Sequence, residues 1–427
     1  MENPGVYSES GRLRTVLVHR PGRAVERLTP ANREDFLFDD LVWVERAQAE
    51  HDALCAALRD RGVEVLYLEQ LLAQTFEASP AAVDEAIHSA VSSFSVGLSL
   101  VEELRAYLGL LPAHDLAEVL IGGLLVSELD GIDLAALRRR SLGAVLAEPD
   151  EFVLPPLPNS VFTRDSSAWV YGGVVLPPLF RSARRLEVVN LSLIYREHPL
   201  FRNADFEFWY PPEGDASRFA VEDFSQGVSL EGGDIMPIGN GCVVVGLGER
   251  STGRMVEHLA ESLFLSGAAS RVIVCRMTQE RAHMHLDTVF SFIDRDLVTL
   301  YPPVIEKMRV YSIRPGEDAT MFDVAEEEGL LSAAADALGV KSLRVVPTGG
   351  DSFQSAREQW DDANNVVAIE PGVVLAYSKN VHTNAALRRA GVEVIEIEGS
   401  ELGKGRGGCH CMTCPIVRDP TPRASGS

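Results

Sequence analysis

The chain has 427 residues, 46% of them hydrophobic and 24% charged, enough length to bury a large core and a composition unlike that of a disordered chain. With 39 Lys and Arg against 62 Asp and Glu, the formal net charge is −23. So acidic a chain shows no basic face of the kind phosphate backbones require, which argues against a nucleic-acid partner; its field favours small cationic ligands.

The N-terminus from Met1 to Gly5 has no charged stretch followed by an apolar core, so no secretory signal is expected. The longest apolar run, Val119 to Val126, falls far short of the roughly 20 residues of a membrane-spanning helix. Of the six cysteines, Cys55, Cys242 and Cys275 are isolated and Cys409, Cys411 and Cys414 are clustered. They are too sparse for a disulfide scaffold of this length and suit a reducing cytoplasm, the expected location.

In chain order, Val16 to Val18 reads as a strand and Val44 to about Arg61 as a helix. Gly62 is its stop, and Val63 to Leu68 is a second strand. From about Pro80 to Leu146 the chain is rich in Ala, Leu, Glu and Arg at helical spacing, with almost no strand signal. Ser79-Pro80, His114-Asp115 and Asp130-Gly131 read as caps or breaks there. The expectation is a helical subdomain over 76–149, inserted into an α/β body of 1–75 and 150–427. Alternation then returns, with strands at Val243 to Val245 and Arg271 to Cys275 around a helix from Met255 to Phe264. It continues with strands at Val373 to Tyr377 and Val392 to Ile397 around a helix from Asn384 to Ala390. Glu231-Gly232-Gly233-Asp234 and Thr348-Gly349-Gly350-Asp351 share Gly-Gly-Asp after an apolar segment, which is either a trace of internal repeats or chance.

Three segments hold candidate chemistry. Gly405 to Pro415 brings a glycine-rich approach to Cys409, His410, Cys411 and Cys414. It can be read as part of a metal site, as a Cys411/Cys414 redox pair, or as a loop carrying a nucleophile whose thiolate Arg406 and His410 would favour. In His283-Met284-His285-Leu286-Asp287, extended backbone would turn His283, His285 and Asp287 to one side, as metal ligands or as a base with a charge partner. Asn159 to Asp165 and Glu231 to Asp234 place carboxylates beside tight turns, which singly are ordinary solvated loops. Together, acids, an imidazole and a thiol suit a guanidinium. Carboxylates can grip its planar N–H donors while its carbon stays open to attack, and a histidine can move the protons that let ammonia leave.

These residues, in order, are similar to those of bacterial arginine deiminases of the guanidine-modifying (pentein) superfamily. The resemblance runs through Gly11-Arg12-Leu13-Arg14-Thr15-Val16, Leu28-Thr29-Pro30 and Phe38-Asp39-Asp40. It continues through Phe162-Thr163-Arg164-Asp165, Glu231-Gly232-Gly233-Asp234 and His285-Leu286-Asp287-Thr288, and ends in Arg357-Glu358-Gln359-Trp360 and Gly405 to Pro415. It implies a five-bladed, pseudo-symmetric α/β propeller and hydrolysis of free L-arginine to L-citrulline and ammonia. By resemblance, Cys411 is the nucleophile and His285 the acid and base. Asp165 and Asp287 clamp the guanidinium, and Glu231 supports both His285 and the substrate. Arg184 and Arg250 would hold the substrate carboxylate; Arg184 rather than Arg185 follows from ungapped counting. Asn159, Phe162 and Gly405 would line the pocket, with Arg406 and His410 as gating residues. No cofactor or metal is implied, and a homo-oligomer is left open. Cys409 stands where the family commonly has glycine, and Ala363 where it often has one. Competing readings are an agmatine deiminase or amidinotransferase, a metallohydrolase using His283, His285 and Asp287, and a non-catalytic binding module.

Overall fold

The structure, a computed structural model, describes residues 3–211, 227–317 and 321–421. The outer ends of the expected domains, at 1–2 and 422–427, lie outside the described residues. Among those residues the chain is organised as five β-β-α-β units, each an antiparallel strand pair, one strand of which pairs in parallel with a third strand beyond a helix.

One unit is closed by the two ends of the chain. Cys414–Arg418 pairs antiparallel with Leu13–Val18, which pairs in parallel with Glu64–Tyr67. The intervening helix Val44–Asp60 buries Ala47, Glu50, His51, Leu54, Cys55 and Leu58. That spacing is one stripe of a 3.6-residue repeat, and full burial of a side chain such as Leu54 stabilises by about 1.5–3 kcal/mol. The helix stops at Arg61 because Gly62 takes a φ of +77°, a conformation glycine adopts without strain.

The second unit joins Ala168–Val170, Gly173–Val175, helix Arg185–Glu197 and Glu207–Tyr210. The third joins Ile235–Gly239, Cys242–Leu247, helix Gly253–Leu265 and Arg271–Arg276. The fourth is Phe290–Phe292, Leu297–Leu300, helix Leu330–Leu338 and Arg344–Pro347. The fifth is Val367–Glu370, Val373–Tyr377, helix Val381–Arg389 and Glu393–Ile397. Strands Arg309–Pro315 and Phe322–Glu327 widen the third unit's sheet to five strands. Strands Ala168–Val170, Gly173–Val175, Phe290–Phe292, Leu297–Leu300 and Val373–Tyr377 are buried on both faces, as expected inside a covered sheet, whereas outer strands such as Phe322–Glu327 and Arg344–Pro347 are largely exposed.

Helices occupy Leu68–Ala78, Pro80–Ala90, Ser93–Val96, Val101–Gly109, Ala113–Gly122, Leu134–Arg138 and Leu142–Leu146. Ser79 caps the second of these by accepting the Ala82 N–H, with Pro80 in the first turn, where its missing N–H does no harm. Two readings need correction. His114-Asp115 lies inside the first turn of Ala113–Gly122, not between helices, where Asp115 complements the helix dipole. The apolar run ending at Val126 also contains a short strand, Leu124–Leu125, paired with Phe152–Leu154. Leu72, Leu104 and Leu120 from these helices share one core with Val188, Leu191 and Ile194 of Arg185–Glu197. No helix of the described residues is long and apolar enough to cross a membrane.

Candidate active site

Each unit presents polar residues on the turn just before its first strand. Cys411 precedes Cys414–Arg418, Asp165 precedes Ala168–Val170, and Glu231 precedes Ile235–Gly239. His285 and Asp287 precede Phe290–Phe292, and Asn365 precedes Val367–Glu370. These turns meet. His285 Nε2 donates to Glu231 Oε2 at 2.6 Å, and its Nδ1 lies 3.6 Å from Asp165 Oδ1. The Cys411 thiol points at Asp287 Oδ2, 3.5 Å away, and accepts from Asn365 Nδ2 at 3.2 Å. Asn365 Oδ1 also takes the Cys411 backbone N–H at 3.0 Å. All of these side chains are buried.

Close approach explains the glycines. A Cβ on Gly233 would sit 2.8 Å from His285 Nδ1, and one on Gly407 would fall 3.0 Å from the Cys411 Cβ and 2.4 Å from Phe162. Asp234 fastens two of the turns together, accepting from Ser251 Oγ at 2.5 Å and from the Leu286 N–H at 2.8 Å. Burial raises its pKa to about 6.

The electrostatics act oppositely on the charged forms of the imidazole and the thiol. Burial disfavours an imidazolium, but Asp165, Glu231 and Asp234 outweigh it and lift the His285 pKa to about 10. Burial likewise opposes ionisation of Glu231, yet His285, Arg250 and Arg184 hold it down at about 2. Asp287 is lowered: its burial is outweighed by His410 and His285. Burial and the charges of Asp287, Asp165 and Asp362 push the Cys411 thiol well up. Among the described residues, Asp165 Oδ1 and Asp287 Oδ1 have no hydrogen-bond partner. Two buried carboxylates thus each keep one acceptor for a donor-rich ligand.

Asn159, Phe162, Asp165, Arg184, Arg250, His285, Gly405, Arg406 and Cys411 line one cavity together with Leu37, Arg281 and Met284. Its volume is about 20 Å³, room for little more than a water molecule. Arg184 is wholly buried, donating to Glu187 and at 2.9 Å to Asp165 Oδ2. Arg185 instead donates to the Ser89 carbonyl. Arg250 reaches Glu231 at 3.5 Å and lies over the Phe180 ring. Arg406, with φ +66°, stacks its guanidinium 3.5 Å from the centre of the Trp360 ring. His410 lies behind Asp287, donating to it at 2.8 Å.

The metal readings fare less well. The segment around His285 is two 3-10 turns, Arg281–His283 and Leu286–Thr288. The extended geometry that would align His283, His285 and Asp287 is therefore absent, and His283 pairs near Thr278 instead. Asp165, Glu231 and His285 do place donor atoms within 4.8 Å of one another. Arg184 and Arg250 stand against Asp165 and Glu231 of this group. Cys414 faces Ser167 and Tyr195 rather than Cys411. Cys409 is buried and its thiol is pushed up by that burial, as is that of Cys411, but of the two only Cys411 lines the cavity. Ala363 is not among the residues with positive φ; the neighbouring Asp362, at φ +62°, takes that conformation.

Sequence reasoning passed over Asn365, Glu9, Glu187 and Arg281. Asn365 had a usable signal, its place just before an apolar strand, shared with Asp165 and Cys411.

A family model described as arginine deiminase matches residues 34–418. The chain is 44% identical over 418 residues to an arginine deiminase of Rhodococcus erythropolis, covering 97% of this chain and 98% of that one. Among solved structures it is similar to SxtG, an amidinotransferase of saxitoxin biosynthesis from Microseira wollei. There the TM-score is 0.56 and the identity 14%, with 99% of each chain covered. It is also similar to a dimethylarginine dimethylaminohydrolase variant bearing an S-methyl-L-thiocitrulline adduct. That match has TM-score 0.51 and 14% identity, and covers 95% of this chain and 100% of the other.

Proposed function

Because the chain belongs to the arginine deiminase family, we propose that it hydrolyses free L-arginine to L-citrulline and ammonia through a thiouronium on Cys411. The observation that carries the reading is the meeting of a thiol, an imidazolium and the Asp165 carboxylate around one cavity, with Asp287 beside the thiol; each of the two carboxylates has one oxygen without a hydrogen-bond partner among the described residues. The five units correspond to five blades of a pseudo-symmetric propeller, with 76–149 a helical insertion into a body of 1–75 and 150–427. A cytoplasmic location suits a nucleophile that must stay reduced.

Asp165 and Asp287 take the guanidinium N–H groups on their free oxygens and fix its plane. Asn159, Phe162 and Gly405 wall the pocket, and Arg184 and Arg250 face the substrate carboxylate. Substrate entry requires the segment bearing Arg406 to move, since the cavity cannot hold arginine as it stands. The cation itself lowers the thiol's pKa on arrival, and the thiol proton passes to solvent. Sulfur attacks the guanidinium carbon. His285, an imidazolium at rest, protonates one nitrogen, and the C–N bond breaks with loss of ammonia. The now neutral His285 takes a proton from water as its oxygen adds to the thiouronium carbon. The C–S bond then breaks, the electron pair returns to sulfur, and citrulline leaves after losing a proton. Glu231 keeps the His285 ring aimed throughout and stabilises it whenever it is protonated.

The test is citrulline release from purified protein given arginine or agmatine in the presence of a chelator. Turnover of arginine alone is expected. Equal turnover of agmatine overturns the carboxylate assignment, and loss of activity restored by zinc overturns the metal-free mechanism. Cys411→Ala should abolish turnover and leave arginine binding measurable by calorimetry.

A further inference from the structure

The site holds two histidines, each set between two acids, and the proposed chemistry uses one of them. His285 stands between Asp165 and Glu231. His410 stands between Asp287, at 2.8 Å from Nδ1, and Glu9, at 3.0 Å from Nε2. Both of its ring nitrogens thus face carboxylate oxygens, an arrangement in which an imidazolium donates twice. Glu9 comes from the N-terminal turn before Leu13–Val18, the partner strand of the unit that carries Cys411. It is 4% exposed. Its other oxygen lies 3.5 Å from Arg164 Nη1, and Arg418 is the next buried cation. Arg164 Nε in turn donates to the Thr413 carbonyl at 3.0 Å, just beyond the nucleophile.

We infer that Glu9 is a positioning residue for the reaction, acting through His410 to orient Asp287 beside the Cys411 sulfur. The inference rests on the proposed roles of Cys411 and Asp287. The His410 N–H occupies Asp287 Oδ2 and leaves Oδ1 to the guanidinium. A carboxylate behind an imidazole fixes which nitrogen carries the proton and how the ring is turned. Without Glu9, the ring is free to present an unprotonated nitrogen to Asp287, and the acid loses its orientation. The charged groups around this relay are Arg164 and Arg418 beside Glu9, His285 and Arg164 near Asp287, and Asp165 and Asp362 near Cys411. Burial alone would protonate Glu9, but Arg164 and His410 outweigh it and hold its pKa down.

Glu9→Gln, made in the full chain, should lower kcat by roughly 10- to 100-fold, the usual scale for a buried supporting carboxylate. KM for arginine should change far less. The acid limb of the rate profile should move to higher pH, because a weaker neighbouring cation leaves Asp287 easier to protonate. The pH midpoint for alkylation of Cys411 by iodoacetamide should move up for the same reason, and Glu9→Asp should recover part of each change. In a double-mutant cycle, adding Glu9→Gln to His410→Asn should have little further effect. Unchanged kcat and an unmoved acid limb, or effects that add in the cycle, overturn the inference. If Glu9→Gln fails to fold, the cycle is run with Glu9→Asp under the same criteria. If the parent protein makes no citrulline, the functional reading fails, while the alkylation profile still tests Glu9.

Discussion

The segments Glu231–Asp234 and Thr348–Asp351 share Gly-Gly-Asp and have opposite fates. The first is fully buried, opens a hairpin, and sets Glu231 against His285. The second follows the last strand of its unit, and the exposed Asp351 caps helix Ser352–Trp360 by accepting the N–H groups of Phe353 and Gln354. What repeats in this fold is therefore not the motif but the position before a hairpin, which Asp165, Glu231, His285, Asn365 and Cys411 share. Identical letters gained different chemistry from what packs over them.

The sharpest way to break the comparison is at Glu231. Glu231→Gln keeps an acceptor for His285 but removes the charge that helps hold its pKa near 10. Loss of acid catalysis should lower kcat by about 10²–10⁴-fold. The sign of the pH effect follows from the same ion pair: with its partner neutral, His285 loses its proton at lower pH, so the alkaline limb should retreat toward neutrality. An unmoved alkaline limb in stopped-flow or steady-state profiles would mean that another group is the acid.

Gly233→Ala and Gly349→Ala form the next pair. The added methyl at 233 meets the His285 ring, and a misplaced imidazole should cost on the order of 100-fold in kcat. The added methyl at 349 meets the His382 backbone at 2.4 Å, an overpacking worth about 1–3 kcal/mol by denaturant unfolding. Turnover per folded molecule should there be unchanged, and a comparable loss of kcat at 349 would erase the distinction. The smallest effect is expected from Asp351→Ala, the loss of one exposed helix cap at about 1 kcal/mol with full activity. A larger stability loss there would show that the turn carries more than the cap.

Much of the architecture was legible. The apolar stripe of Val44–Asp60, the stop at Gly62 and the cap at Ser79 are each written within a few neighbouring residues. The strand Leu124–Leu125 was missed because two residues between a helix end and a 3-10 turn carry no period. The His283, His285 and Asp287 alignment failed because the chain there winds into tight turns, and alternation holds only for extended backbone. In the candidate site, Cys411, His285 and the acids could be picked out as an ordered set. Asn365 was passed over although its place just before an apolar strand was a usable signal, and Glu9 has no unusual neighbour in sequence to mark it.

Local signals in the chain were sufficient for its α/β alternation, its helical stretch and the residue types able to attack and clamp a guanidinium. The family resemblance named Glu231 as the support of His285, but only the tertiary structure showed which acids flank His410. Glu9 meets His410 across 401 positions of sequence and His285 meets Glu231 across 54. Such pairs form because buried charges must find partners wherever the packed units bring them together, and no window along the chain contains that information.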